Sequence, residues 1–319
     1  MTPVAAKHKP STRNPRKKTD PWALRRAGGL QILEALPLAQ LSRLVHGFST
    51  RTGGASELEA NREGGKFVEN VLNLGFTDWD ARARVLKNRQ NFFAALKASD
   101  MRVSALRQIH SDIVHVVSIA NSQPVAEAPK GDALITNEPG LLLVVQTADC
   151  VPILLADKKR HAIGAIHSGW RGTLQRIAEK ALGRMQMEFG TRPQDVVAAL
   201  GPGIGQCCFE VGPEVAAEFA AKFPEARQWF KGPFEALARG DNDPNWLPWL
   251  TMRPPGHQLP EPRAHLDLIA ANRTILRVAG VQPRNIFSSE LCTACRTDLF
   301  FSYRRERITG RMLAAIGMR

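Results

Sequence analysis

The chain has 319 residues, an apolar share of 44% and a formal net charge of +13. That is enough for one large domain or two small ones with a sizeable core. It excludes a helical membrane protein, because no uninterrupted apolar run reaches about 18 residues. The longest, 141–156, is broken by Gln146, Thr147 and Asp149. The start is basic but lacks the apolar stretch of a signal peptide. Five scattered cysteines suit a reducing cytoplasm better than secretion.

In chain order, residues 1–29 carry a net charge of +7 and four prolines, which reads as a disordered basic tail. Such an arm attracts nucleic acid or acidic surfaces weakly, and a solubilising extension is the plainer reading. The folded part is expected over 30–319. LVHGFST is a strand leaving into a Gly-rich turn, RTGGAS, with 55–70 as loop. Thr77 and Asp80 look like a capping pair. A helix is expected over 78–98, with Ala81, Val85, Phe92, Phe93 and Leu96 as its apolar stripe. ALRQIHSDIVHVV reads as two strand pieces around His110. ALIT and LLLVVQTADCVPILLAD are buried strands, the second a strand–turn–strand. AIGAIH is a strand, and TLQRIAEKALGRMQMEF is a helix stopped by Gly190. VVAAL returns as a strand, and a helix begins near Pro213. Residues 224–263 are rich in Pro, Trp and Gly and read as an insertion or long loop. A helix ending at Gly280, a strand at NIFSSELCT and a closing segment complete a mixed α and β pattern.

Three residues at the ends of, or interrupting, apolar runs stand out: His110, Cys150 and His167. One thiolate and two neutral imidazoles suit Zn²⁺, and three protein ligands leave a position open for water or substrate. The residues alone equally allow three unrelated side chains, with Cys150 a small buried hydrophobe. Cys292-x-x-Cys295 is half of a zinc ribbon or a redox pair. With no second CxxC, a four-Cys ribbon is excluded and the adjacent Cys207 and Cys208 are expected to be structural.

The segments HGFSTRTGG (46–54), NLG (73–75), RQIHSD (107–112), GDALIT (131–136), QTADCVPILL (146–155) and IHSGWRGT (166–173) occur in this order. ALGPGIGQCCFEVG (199–212), HLDL (265–268), ELCT (290–293) and FFSYRRERITGR (300–311) follow. Together they resemble the YfiH-like family, also known as laccase-domain or multicopper polyphenol oxidase-like proteins, purine nucleoside phosphorylases and peptidoglycan editing factors. The resemblance implies a single α+β domain in four layers, α/β/β/α, with mixed sheets. It implies zinc-dependent phosphorolysis of adenosine, inosine, guanosine and methylthioadenosine, with deamination of adenosine. The implied metal ligands are His110, Cys150 and His167.

Around such a metal, Asp149 is a candidate proton carrier, or a partner that orients a histidine, or a turn cap. Arg171 and Ser168, where a strand runs into a helix, are candidates for phosphate, with Arg51 a second cation. A salt bridge or a carbonyl contact is the alternative for the arginines. His46 is a candidate substrate contact or base, or else a satisfied buried histidine. Asn73 is a candidate for ribose or base, although Asn before Leu-Gly is often a turn. Gln108 would share a strand face with His110. The expected partners are purine nucleosides and phosphate, with no membrane, in a monomer or homodimer. Competing readings are a copper-dependent polyphenol oxidase and a cysteine hydrolase using Cys150 and His167 in peptidoglycan precursor editing. Eight histidines without an H-x-H pair allow at most one mononuclear copper site.

Overall fold

The computed structural model describes residues 20–59, 67–122, 127–232, 234 and 263–319. The first third forms β1 (Trp22–Ala27), β2 (Leu30–Ala35), α1 (Leu36–Ala39), β3 (Leu44–Ser49), β4 (Thr52–Glu59), β5 (Phe67–Val71), α2 (Arg82–Ala95) and β6 (Arg102–Ser104). The middle forms β7 (Val114–Val116), β8 (Ala133–Thr136), β9 (Leu141–Thr147), β10 (Val151–Asp157), β11 (Ile163–Ser168), α3 (Trp170–Leu174), α4 (Ile177–Phe189) and β12 (Val196–Leu200). The remainder forms β13 (Glu210–Val211), α5 (Pro213–Lys222), β14 (Phe230–Lys231), β15 (Ala264–Leu266), α6 (Leu268–Val278), β16 (Ile286–Ser288), α7 (Tyr303–Glu306) and β17 (Met312–Met318).

Two six-stranded sheets organise the chain, in the orders β1-β2-β3-β17-β9-β6 and β16-β12-β10-β11-β8-β7. The alternation of side chains along each strand shows how they stack. In β9, Leu141, Leu143 and Val145 belong to one buried cluster with Leu154 and Ala156 of β10. Leu142 and Val144, on the opposite face, pack with Phe92 and Leu96 at the end of α2. In β10, Val151, Ile153 and Leu155 face α4, with Ile177, Leu182 and Met185. The layers are therefore α2, first sheet, second sheet, and α4 with its helical neighbours: the α/β/β/α order. Strands covered on both faces read as continuous apolar runs, as these do.

The structure corrects several expectations. The fold begins earlier than Leu30, within the stretch expected to be a tail. β1 pairs antiparallel with β2, Trp22 packs on the ring of Phe48 with centroids 5.4 Å apart, and Arg25 bonds Glu34 at 2.7 Å. The adjacent Arg25 and Arg26 give this edge strand the look of a charged tail in sequence; residues 1–19 lie outside the described residues. RTGGAS is not a turn but the start of β4, which pairs with β5 through register shifts. The expected capping pair does not cap α2. Its N-cap is Ala81 without a side-chain bond, and the Thr77 and Asp80 oxygens instead accept from Asn73. The helix expected over 173–190 is broken in two at Arg176, whose φ is 58°; Gly190, at φ 65°, ends it. Most of the 224–263 segment lies outside the described residues. Its first part is folded, with Trp229 and Phe230 buried and β14 paired to β15.

Candidate metal and catalytic site

The turn 148–150 carries the chain from β9 in one sheet to β10 in the other. Asp149 takes a positive φ of 92° there, a conformation that needs support from its surroundings. It has three supports. Its carbonyl accepts the Ile204 N–H at 2.7 Å, and its carboxylate accepts the Thr293 hydroxyl and the Arg304 N–H, each at 2.7 Å. Cys150 follows at the mouth of β10. The β10–β11 register pairs Pro152 with His167 and Val151 with Ser168, so the thiol lies beside the end of β11 that carries His167. His110 reaches the same place from the irregular segment between β6 and β7. It also holds a positive φ, 58°.

One acid organises both histidines. Asp132 precedes β8, which pairs with β11, and its carbonyl accepts the His167 N–H at 2.8 Å. Its fully buried carboxylate accepts His167 Nδ1 at 2.9 Å and the His110 N–H at 3.1 Å. It also accepts the Ser111 N–H at 2.6 Å, the Ser111 hydroxyl at 2.7 Å and the Ile109 N–H at 3.3 Å. The bond to Nδ1 leaves His167 Nε2 to face the thiol.

The ligand atoms of His110, Cys150 and His167 all lie within 4.8 Å of one another. His110 Nε2 is 3.8 Å from Cys150 Sγ. A zinc ion with nitrogens near 2.0 Å and sulfur near 2.3 Å in tetrahedral array would separate N from S by about 3.6 Å. The donor set, its spacing and the acid fixing one imidazole therefore fit a metal ion. Without an ion the thiol and imidazole ionise against each other. Burial pushes the Cys150 thiol up, but the His167 charge and bonds from both imidazoles outweigh it and bring its pKa to about 6. Burial pushes His167 down, yet the thiolate and Asp132 raise it to about 9. Asp132 is held well below the carboxylate range, its burial being overcome by bonds from His167 and Ser111.

The other expected site residues are mostly committed elsewhere. Asp149 bonds neither histidine in this network, so it does not orient one; its carbonyl and carboxylate brace the turn. Gln108 does not share a strand face with His110. Its amide closes two bonds with the backbone of Gln146, at 2.7 and 2.8 Å. Ser168 is fully buried and bonded to Thr173 and Asn272. Asn73 is fully buried and its amide spans Gly75, Asp80 and the Arg311 N–H. Buried His46 accepts the Ala35 N–H on Nε2 at 3.1 Å, which makes it a satisfied core histidine.

Arg51 bonds Glu306 at 2.6 Å and the Thr297 carbonyl at 2.8 Å. It lines a cavity of about 1210 Å³ together with Arg305, Arg307 and Asp298. None of the three candidate ligands lines that cavity. Arg171 is exposed and lies over the Trp170 ring at 4.4 Å. Sequence reasoning overlooked Arg311: its guanidinium, whose pKa burial lowers, feels the charges of Cys150 and Asp149. It also overlooked Asp132, for which the only signal was an acid opening the buried strand ALIT.

Among the described residues, no helix is long and apolar enough to cross a membrane. A family model described as multi-copper polyphenol oxidoreductase laccase matches residues 45–319. A protein named purine nucleoside phosphorylase from Deinococcus radiodurans is 37% identical over 297 residues, covering 92% of this chain and 94% of its own. A protein named adenosine deaminase RL5, from an unknown prokaryotic organism, is 33% identical over 290 residues, covering 89% and 98%. The crystal structure of the hypothetical protein YfiH of Bacillus licheniformis superposes with a TM-score of 0.74 at 28% identity, covering 94% of this chain and all of that one.

Proposed function

The chain belongs to the multi-copper polyphenol oxidoreductase laccase family, the YfiH-like proteins, and from that premise we propose that it is a zinc-dependent purine nucleoside phosphorylase that also deaminates adenosine. The observation that carries this reading is the convergence of His110, Cys150 and His167, with His167 oriented by a buried acid, in a chain whose relatives bear those two enzyme names. An ion held by these three residues would supply Lewis acidity and a water ionised near neutral pH.

The chain's own residues set up the rest. Asp132 keeps the proton of His167 on Nδ1, so Nε2 stays available as a donor. Asp149, with Thr293, holds Cys150 at the crossover and so positions the thiolate. Arg311 and Arg171 are the cations we assign to phosphate; the former is half-buried near Cys150, where an anion gains most from a fixed charge. Gln108, Asn73, Ser168 and His46 support the backbone and are not assigned to substrate.

A second reading has a specific observation behind it. Cys150, His167 and Asp132 also form the thiol, base and orienting acid of a cysteine hydrolase. The first reading is favoured because the thiol faces two imidazoles, where a hydrolase needs one. Purified protein incubated with adenosine, with and without phosphate and a chelator, separates them. We expect adenine and ribose 1-phosphate only when phosphate is present, inosine in either case, and neither after chelation until Zn²⁺ is restored. Turnover that survives complete metal removal would leave the hydrolase reading standing instead. Dependence on added Cu²⁺ with oxidation of phenols would favour the oxidase.

A further inference from the structure

The remaining four cysteines, which spacing alone excludes from a ribbon, converge. Cys207 and Cys208 lie in the turn after β12, closed by Cys208 and Phe209 N–H bonds to the Gly205 carbonyl at 3.0 Å. Cys292 and Cys295 lie in the turn after β16, closed by the Arg296 N–H on the Cys292 carbonyl. A parallel bridge between Gly203 and Cys292 joins the two turns, and the Thr293 N–H bonds the Gly203 carbonyl at 3.0 Å. All four sulfurs lie within 4.8 Å of one another. Cys295 Sγ is 3.5 Å from Cys207 Sγ and 3.4 Å from Cys208 Sγ.

These separations decide between two chemistries. A disulfide needs about 2.05 Å and joins sulfurs in pairs. Here one sulfur stands in contact distance of two others, which suits a common centre. Four sulfurs at 2.3 Å from a tetrahedral zinc are separated by about 3.8 Å, close to what is seen. The Gly205 N–H points at Cys292 Sγ at 3.1 Å, a bond that favours a thiolate. Holding all four sulfurs as thiolates at these separations requires a cation among them. Cys207 and Cys295 are exposed, which gives an ion a route in.

We propose that Cys207, Cys208, Cys292 and Cys295 bind a second zinc ion as a closed four-thiolate structural site, separate from the open His110–Cys150–His167 centre. Its place in the fold gives it a role: it would clamp the 292–295 turn, and Thr293 in that turn bonds Asp149, the neighbour of Cys150. The inference does not depend on the substrate of the first centre.

The test is metal content of the full chain, purified from zinc-supplemented cells. We expect two zinc ions per chain, one in Cys150→Ser and one in Cys207→Ser/Cys208→Ser. Cobalt bound to Cys150→Ser should show the intense thiolate charge-transfer and visible bands of a four-sulfur site. A single zinc in the wild type that vanishes in Cys150→Ser overturns the proposal. So does a disulfide between the two turns in a non-reducing peptide map of the metal-saturated protein. Should the double variant not fold, alkylation of native wild type decides. The four cysteines should resist labelling until a strong chelator is added, and immediate labelling of Cys207 and Cys295 with zinc present refutes the site.

Discussion

Replacing Asp132 by Asn tests how the site is held together. The carboxylate is fully buried and accepts five bonds: from Ile109, His110 and Ser111 N–H, from the Ser111 hydroxyl, and from His167 Nδ1. An amide offers one acceptor oxygen in place of two. If its NH₂ group takes the place of the oxygen facing His167, it meets the His110 N–H. It also obliges Nδ1 to accept, which moves the ring proton to Nε2, the nitrogen that must face a metal. If the NH₂ group takes the other place, it meets the N–H groups of Ile109 and Ser111 and the loop bearing His110 shifts. Either way at least one charge-assisted bond is lost, worth about 1.5–3 kcal/mol. Removing the partner of a ligating histidine lowers metal affinity by about 10–100-fold. Competition for zinc against a chromophoric chelator measures that affinity, and thermal unfolding of the metal-free variant measures the loss in the fold alone. Destabilised apo protein with unchanged zinc affinity would refute the orienting role and leave Asp132 as a loop clamp.

Two further outcomes follow from the geometry. His46 has its pKa lowered to about 4, mainly by burial and also by Arg25. The folded state thus binds its proton later than the unfolded chain, whose value is 6.5. Its contribution is complete above pH 6.5 and is lost as pH falls toward 4, at about 1.4 kcal/mol per pH unit and roughly 3 kcal/mol in all. His46→Gln should remove that slope from denaturant-derived stability over this window, and parallel profiles for variant and wild type would show the residue does not titrate so. Gly169→Ala would place a methyl 2.9 Å from Cys150 Sγ and 3.1 Å from a His110 ring carbon. Crowding of that kind costs about 1–3 kcal/mol; we expect at least a tenfold loss of zinc affinity by the same competition, and wild-type affinity would show that the ligands shift freely.

What was legible in the sequence depended on how local the cause is. His110, Cys150 and His167 could be singled out because each ends or interrupts an apolar run of the sequence, although His110 lies in an irregular segment and not at a strand end. The length of β9 and β10 was legible too, from continuous burial. That they belong to different sheets was not, because a strand covered on both faces gives no sign of which neighbour lies on which side. Asp132 escaped notice because its task comes from the β8–β11 register, which brings it beside His167 from 35 positions away. Asn73, Gln108 and Ser168 looked like substrate contacts because they are polar residues among apolar ones. The structure uses all three to satisfy buried hydrogen-bonding groups, the commoner fate of such residues. The convergence of the four cysteines is invisible to a spacing rule that assumes two CxxC arms, whereas an adjacent pair in a tight turn delivers two sulfurs as well.

The crossover between the sheets explains why the centre sits where it does. Within either sheet, a ligand pointing from a central strand would meet packed side chains on both faces. At residues 148–150 the chain leaves one sheet and enters the other, so Cys150 emerges where neither ladder continues. The strain of Asp149 is held there by Ile204 from the turn after β12, Thr293 from the 292–295 turn and Arg304 from the start of α7. The thiol's position is thereby set by three segments distant in sequence, while Asp132 binds the ring of His167 and the backbone N–H of His110. Two buried acids thus divide the work, one bracing the turn that carries the sulfur and the other orienting the His167 ring and anchoring the backbone of His110.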